Sequence, residues 1–371
     1  MIVKDFKGKK FIYTENGIEY PADKVLPSEL YKYYAFNKNS ADAFVNNYLF
    51  FSHPSNLNDI VDSTDLLLNF EDCSKENYDG IYKYRNDRFH FDLTKKPSYE
   101  EAKKDNFIDI RGFIYFSGFF NRGILSLTAS PDNKLMMAHY TLEKGFILEF
   151  ESTKLLNFLE NQKENENVRI FPMNYSKTIK PINFFKESKK ASKSENGKTS
   201  HSLNYTVPSL YIASIKDKVW HYEDEWRILI DRANMGHIAP PLDFREIPNE
   251  NIIIDGRKIK YESDCLSKII LAPMFFNNSS FKAEIIDGNY KINYSLNIEF
   301  LQKYDLLDLM RGFLIKICSN EYNEKIFFQD LDFSNLEYER CLRKILYLNF
   351  SNDIISFSYG IKLKFENNSK V

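Results

Sequence analysis

Residues 221–230, HYEDEWRILI, place four charged side chains around a tryptophan and then run into an apolar stretch. This segment constrains the fold more than any other, because its β-formers and its lack of Gly and Pro predict a strand. Side chains alternate along a strand, so Glu223, Glu225 and Arg227 share the face opposite Trp226. Two interpretations stay open. The charges pair with one another on an exposed face, where they contribute only about 0–1 kcal/mol, or they carry chemistry.

The composition indicates a globular protein with a sizeable core. The chain has 371 residues, of which 43% are hydrophobic and 27% are charged. The formal net charge of −2 gives no global field that would steer the protein to nucleic acid or to acidic membranes. No apolar stretch approaches the ~18 residues that suggest a spanning helix, and the N-terminus lacks an apolar signal region. We therefore expect a cytoplasmic protein without a membrane partner.

The residues that commonly bind metals show no metal-binding pattern. The four cysteines lack zinc spacing and fit reduced core thiols, and the six histidines lack HxxxH spacing, so we expect no metal site. The absence of a G-x-G-x-x-G word, a Walker loop, HExxH and G-x-S-x-G disfavours Rossmann dinucleotide folds, P-loop NTPases, zincins and esterases.

The middle of the chain alternates strands and a helix. Residues 123–130, GILSLTAS, alternate as a strand with three hydroxyl side chains on one face, those of Ser126, Thr128 and Ser130. A helix follows and ends near Gly145, a residue that suits a left-handed cap. Residues 177–198 contain seven lysines against two glutamates, which predicts a long mobile loop. This loop could contact a nucleic-acid backbone while Phe184-Phe185 stack on bases.

The two ends of the chain complete the predicted fold. Residues 9–22 predict a hairpin that turns at Glu15-Asn16-Gly17. Residues 296–318 and 334–350 show helical apolar spacing, and residues 356–365 alternate as a closing strand. We therefore predict an α+β fold with a mixed, mainly antiparallel sheet core flanked by helices, and a helical C-terminal extension. The expected divisions are an N-terminal hairpin at 1–28, the core at 29–290 and the extension at 291–371.

Three segments resemble, in order and spacing, the bacterial family known as domain of unknown function 2971. They are LYKYYAF with YLFFSHPSNLND, then ILSLTASPDNKLMMAHYTLEKGFILEF, and then KVWHYEDEWRIL. The resemblance covers roughly residues 29–275. The sequence departs from the family words at Tyr34, where arginine is usual, at Ile60 and Asp62, and at Met137, where tryptophan is usual. Because the family has no established activity, the resemblance implies a fold neighbourhood and no chemistry.

A second resemblance supplies a chemical hypothesis. ADP-ribosyltransferases of the Arg-Ser-Glu type carry a basic residue on an early strand, then a Ser-x-Ser-like strand, then a Glu-x-Glu pair on a later strand. Lys32, the Ser126-x-Thr128 strand and Glu223-x-Glu225 are similar to these elements. The resemblance implies NAD as substrate, with Glu225 stabilising an oxocarbenium-like ribose and Glu223 orienting or deprotonating the acceptor. The implied cofactor-binding residues are Lys32, Tyr33, Ser126, Thr128, Ser130, His139, Tyr140 and Arg227.

Several alternatives stay open. His139 is either a core histidine or points with Tyr140 into the site, and Arg227 is either a structural partner of Glu225 or part of the site. The leading functional hypothesis is an ADP-ribosyltransferase-like enzyme that modifies a protein or nucleic-acid acceptor as a toxin or phage-defence effector. The alternatives are a non-catalytic interaction or sensor module of a defence system, and a phosphodiester-cleaving enzyme that uses the same carboxylates and lysines.

Overall fold

The structure is a computed structural model that describes residues 2–6, 9–57, 59, 62–119, 121–193, 199–203, 205–232, 235, 255–284, 291–332 and 339–363. The strands are β1 (Ile2–Phe6), β2 (Lys9–Thr14), β3 (Gly17–Glu19), β4 (Glu29–Tyr34), β5 (Tyr48–Phe50), β6 (Leu68–Asn69), β7 (Arg122–Thr128), β8 (Phe146–Glu151), β9 (Asn165–Pro172), β10 (Asn174–Ser176), β11 (Ile182–Asn183), β12 (Lys189–Lys193), β13 (Thr199–Leu203), β14 (Ile215–Asp217), β15 (Glu225–Arg232), β16 (Lys258–Lys260), β17 (Leu266–Leu271), β18 (Phe281–Glu284), β19 (Lys291–Leu296), β20 (Ile326–Asp332), β21 (Glu339–Ser351) and β22 (Ile354–Leu363). The helices are α1 (Lys38–Val45), α2 (Lys75–Phe89), α3 (Tyr99–Lys104), α4 (Ile108–Phe119), α5 (Lys134–Met136), α6 (Ser152–Asn161), α7 (Phe184–Ser188), α8 (Thr206–Ala213), α9 (Ile298–Lys303) and α10 (Leu307–Ile317).

One large sheet organises the described part of the chain. Its eleven strands lie in the order β18-β19-β22-β21-β20-β17-β8-β4-β7-β15-β9. Strands β17 and β20 run parallel, and the other neighbours in this sheet run antiparallel. The prediction of an α+β fold with a mixed, mainly antiparallel sheet is therefore confirmed. No helix among the described residues is long and apolar enough to cross a membrane.

The N-terminal hairpin forms as predicted. Strand β2 pairs antiparallel with β3, and Thr14 lies opposite Gly17 across the turn. Gly17 has φ 151°, a value that glycine adopts without the steric penalty of a Cβ atom. Strand β1 adds a third strand to this small sheet.

The predicted helical C-terminal extension is wrong. Helices α9 and α10 do form within residues 296–318, but residues 339–351 are strand β21. Irregularities in the pairing of β21 with β22 lie on both sides of Ile345. Each irregularity changes which side chains of β21 face the core. Leu342 and Ile345 are therefore both buried although they lie three positions apart, which is a spacing typical of a helix. Because β19 to β22 belong to the main sheet, the sheet takes strands from both sides of residue 290, and the division into three domains stays a prediction.

The segment 177–198 is not one long loop. It contains β11, α7 and β12, while residues 194–198 lie outside the described ranges. Phe184 and Phe185 are buried, and the Phe184 ring stacks on Phe70 with centroids 5.2 Å apart. These two rings therefore cannot stack on bases, and that part of the nucleic-acid hypothesis is wrong. The prediction of a loop relied on the lysine content and overlooked the short apolar segment 182–185, which anchors α7 in the core.

The connection before β8 also differs from its prediction. The helical segment is α5 followed by a π-helical turn, Met137–Thr141. The left-handed residues at its end are Leu142 and Glu143, with φ values of 53° and 57°. Gly145 is needed for space instead, because a Cβ atom there would lie 1.8 Å from the backbone oxygen of Tyr34.

Strand β15 lies between two parts of the core. Trp226, Ile228 and Ile230 pack into one large apolar cluster, whereas Leu229 packs into a second cluster with Ile124. All residues from 225 to 230 are buried. The interpretation of this segment as a half-buried strand with an exposed charged face is therefore wrong. Its charged side chains lie inside the protein, where any loss of pairing costs far more than at the surface.

Candidate active site

Three neighbouring strands bring the predicted site residues together. Strand β7 lies between β4 and β15, with Thr128 opposite both Tyr31 and Glu225. Ser126 lies opposite Arg227 in the same ladder. The Nζ atom of Lys32 donates to the backbone oxygen of Ser126 at 2.8 Å, which ties β4 to β7 across the site.

A cavity of about 270 Å³ opens over these strands. Several residues that the sequence predicted as cofactor-binding or catalytic line it, namely Lys32, Tyr33, Ser126, Thr128, Tyr140, Glu223, Glu225 and Arg227. The volume is close to the lower end of the range for small-molecule pockets. The structure therefore gathers the basic, hydroxyl and carboxylate groups at one concave surface.

Glu223 does not lie on the strand, contrary to the alternation argument. It ends a 3-10 helix, Lys218–Glu223, and Asp224 with φ 39° turns the chain into β15. The Thr128 hydroxyl donates to the backbone oxygen of Glu223 at 2.5 Å and fixes this turn against β7. The carboxylate of Glu223 nevertheless reaches the cavity beside that of Glu225.

Arg227 is the centre of a buried ion network. Its Nε atom donates to Glu225 Oε1 at 2.6 Å. Its Nη1 and Nη2 atoms donate to the two carboxylate oxygens of Asp62 at 2.8 and 2.5 Å, a bidentate geometry that arginine favours. The predicted pairing of Arg227 with Glu225 is present, and Arg227 also lines the cavity.

Lys216 joins the two candidate catalytic carboxylates. Its Nζ atom donates to Glu223 Oε2 at 2.6 Å and to Glu225 Oε2 at 3.0 Å, and it lies 3.6 Å from Asp62 Oδ2. The same ammonium lies 5.2 Å from the ring centroid of Trp220, which also lines the cavity. Three carboxylates, those of Asp62, Glu223 and Glu225, therefore share two buried cations, and each carboxylate accepts a hydrogen bond from at least one of them.

Sequence reasoning missed Asp62 and Lys216. In the sequence, Asp62 stood out only because it departs from the motif of the DUF2971 family, and Lys216 lies in no recognisable motif. Lys216 lies on β14, which pairs with β10 outside the main sheet. No local pattern connects that strand to residue 62 or to β15, so only the tertiary arrangement could identify the network.

The network moves the pKa values of the two glutamates in opposite directions. Burial alone would raise the pKa of Glu225, but the charges of Arg227 and Lys216 outweigh it and hold the pKa well below the usual range. A hydrogen bond from Ser126 acts in the same direction. Burial raises the pKa of Glu223, and the negative charge of Glu225 adds to this effect while Lys216 opposes it.

Tyr140 and Lys32 complete the polar lining. The Tyr140 hydroxyl donates to Glu223 Oε1 at 2.6 Å, and the pKa of Tyr140 is raised by burial and by this contact. Burial lowers the pKa of Lys32 to about 8, although Glu225 and Glu223 act against it. Tyr140 is carried by the π-helical turn, a distortion that often marks functional sites.

Two predicted residues lie outside the lining. The backbone N–H of Ser130 donates to the Thr128 hydroxyl at 3.1 Å, and the Ser130 carbonyl accepts from the Tyr33 hydroxyl at 2.9 Å. His139 is exposed, so the interpretation as a core histidine is wrong, and a hydrogen bond of 3.1 Å joins its Nδ1 atom to the Tyr222 hydroxyl. Neither residue is among those that surround the cavity. Within the described ranges, no group of three or more His, Cys, Asp or Glu side chains is placed to hold a metal ion.

Comparison with known families supports part of the sequence resemblance. Residues 136–228 match the model of the family described as a protein of unknown function (DUF2971). Five charged or hydroxyl-bearing residues that line the cavity lie within the matched range, namely Tyr140, Lys216, Glu223, Glu225 and Arg227. No curated protein and no solved structure matched the chain. None of these comparisons supports the resemblance to ADP-ribosyltransferases.

Proposed function

We propose that this protein is an ADP-ribosyltransferase-like enzyme that cleaves the N-glycosidic bond of NAD. One observation carries the proposal. Lys32, Ser126 and Glu225 come from three neighbouring strands and line one cavity, with Glu223 as a second carboxylate beside Glu225. A basic group, a hydroxyl and a carboxylate pair are the groups that the resemblance to these transferases requires together. A role as a toxin or a phage-defence effector stays a prediction.

Glu225 is the group that stabilises the developing positive charge. When the bond from ribose C1′ to the nicotinamide nitrogen breaks, its electron pair leaves with nicotinamide and the ribose becomes oxocarbenium-like. A carboxylate held ionised by Arg227 and Lys216 faces that charge without having to reorganise. The Ser126 hydroxyl, bonded to Glu225, orients it rather than the ribose.

Glu223 is the group that receives the acceptor's proton. The acceptor forms a bond to C1′ and gives up a proton, and the raised pKa of Glu223 makes it a stronger base for that proton than an ordinary carboxylate. Two carboxylates whose pKa values are pushed apart by their surroundings are the pattern expected for such a division of labour. Lys32, on the far side of β7 from Glu225, supplies positive charge for the pyrophosphate.

Nicotinamide release by Glu225→Gln and by a matched control tests the proposal. Wild type is incubated with NAD and cell lysate, and free nicotinamide is measured by chromatography. We expect Glu225→Gln to lower the rate by about 100-fold or more, because the charge that faces the oxocarbenium is lost. Unfolding in urea should also show a loss of about 3 kcal/mol, because Arg227 and Lys216 each lose a buried partner.

Asp231→Asn is the matched control. Asp231 lies on the same strand and also pairs with two cations, Arg122 at 2.5 Å and Arg169 at 3.1 Å, but it does not line the cavity. We expect this variant to lose stability while its rate of nicotinamide release stays within about threefold of wild type. Equal loss of rate in both variants would mean that Glu225 acts only through stability. If wild type releases no nicotinamide with any lysate, the chain is better described as an interaction or sensor module.

A further inference from the structure

We propose that Lys216 is a positioning residue that assigns different tasks to Glu223 and Glu225. The inference rests on the proposed function, because it concerns how that site divides the roles of its two carboxylates. Lys216 itself is not required to touch the substrate. It acts through the carboxylates that it holds.

The contacts of Lys216 carry this proposal. One ammonium nitrogen bonds an oxygen of each glutamate, so the two oxygens lie within two hydrogen-bond lengths of each other. At that separation two ionised carboxylates repel strongly unless a cation lies between them. Lys216 is that cation, and its side chain is only 8% exposed, so water screens the interaction little.

The partners of the two glutamates are unequal. Glu225 also accepts a hydrogen bond of 2.6 Å from the charged side chain of Arg227, whereas Glu223 accepts one of 2.6 Å from the neutral hydroxyl of Tyr140. Glu225 therefore stays charged whether or not Lys216 is present, while the charge of Glu223 depends on Lys216. The titratable and charged groups that interact with Glu223 come from its own 3-10 helix and from five surrounding elements, and they are Tyr222, Lys32, Tyr140, Tyr175, Lys216 and Glu225.

The test is the pH profile of nicotinamide release by Lys216→Met, which keeps the length of the side chain and removes its charge. We expect the acidic limb of the profile to move upward by about one pH unit or more, because an opposite charge close to a carboxylate lowers its pKa by that amount. Lys216→Arg restores a cation and should return the limb close to the wild-type position. Lys24→Met is the control, since Lys24 pairs with Asp224 at 3.4 Å near the site but its side chain is 36% exposed, against 8% for Lys216.

A second measurement needs no activity. Without Lys216 the native state holds a proton on Glu223 that the unfolded chain releases near its ordinary pKa, so stability falls as the pH rises through the folded-state pKa. Compared with wild type, Lys216→Met should therefore lose more in melting temperature at pH 8 than at pH 5.5. Folding of this variant at pH 5.5 but not at pH 8 would agree with the proposal.

The outcomes separate the two proposals. If wild type releases no nicotinamide, the proposed function fails, and the comparison at two pH values still decides whether Lys216 controls the ionisation of Glu223. An unchanged acidic limb, a loss of melting temperature independent of pH, or failure to fold at pH 5.5 would each overturn the role of Lys216. A shift of the limb in Lys24→Met as large as that in Lys216→Met would do the same.

Discussion

At the scale of single residues, Lys32 reports whether the cavity binds an anion. Its ammonium is close to the backbone oxygen of Ser126, and burial lowers its pKa to about 8. The positive charge is therefore present below pH 8 and lost as the pH rises through that value. If Lys32 binds the pyrophosphate, affinity for ADP-ribose should weaken over the same range.

Lys32→Met should weaken ADP-ribose binding about tenfold at pH 7, because a hydrogen bond to a charged group is lost. Its affinity should then vary little between pH 7 and pH 9, whereas wild type weakens. Isothermal titration calorimetry at three pH values measures both effects. Lys268→Met, which removes a lysine that pairs with Glu149 away from the cavity, should bind as wild type does. Equal affinity of wild type and Lys32→Met would show that Lys32 has no part in binding.

The buried network also sets the stability that a substitution of Glu225 is expected to cost. An exposed pair of charges contributes about 0–1 kcal/mol, and the sequence alone gave no reason to expect more for Glu225. Glu225 and Arg227 are in fact buried, and each has two charged partners. Removing one partner leaves a buried charge without compensation, which is the costly case.

At the scale of elements, the join between β4 and the start of β8 depends on a missing side chain. A Cβ atom on Gly145 would lie 1.8 Å from the backbone oxygen of Tyr34 and 3.0 Å from the Cα atom of Ala35. We expect Gly145→Ala to lower the free energy of unfolding by about 3 kcal/mol, because backbone atoms must move. Urea denaturation followed by circular dichroism measures the change.

Gly112→Ala is the control for that substitution. Gly112 lies in α4, and a Cβ atom there would meet nothing within 4 Å. Alanine favours a helix over glycine, so this variant should gain about 0.5–1 kcal/mol. If both variants unfold at the same urea concentration as wild type, the close approach at Gly145 does not contribute to the stability of the sheet.

At the scale of the whole molecule, the helices and strands after residue 290 belong to the same core as the site. Phe313 packs on Phe146 with ring centroids 5.0 Å apart, and Phe357 packs on Phe276 at 4.7 Å. Strand β20 pairs with β17 inside the main sheet. We therefore expect a fragment that ends at residue 290 to lack a cooperative unfolding transition.

Circular dichroism and limited proteolysis of the 1–290 fragment test this expectation. The control is addition of the separate 291–371 peptide, which should restore protection from protease if the two parts form one core. The full chain should unfold in a single transition by circular dichroism and by tryptophan fluorescence. A stable fragment with its own transition would instead support a domain boundary at residue 290.

Local elements could be predicted from the sequence where their signals are complete within a few residues. The N-terminal hairpin follows from its turn word, and the 225–230 strand follows from its β-formers. The mixed, mainly antiparallel sheet follows from several such strands. Local signals failed at β21, because pairing irregularities change which side chains face the core, and at 182–193, because charge outweighed a short apolar word.

Which residues form the candidate site depends on long-range packing. Lys32, Ser126 and Glu225 could be nominated from words in the sequence, but their convergence depends on β4, β7 and β15 being neighbours. Asp62 and Lys216 belong to no sequence motif that would have nominated them. They belong to the site because a buried arginine and two buried glutamates need counter-charges, and that need is set by burial, which depends on the packing of the whole chain.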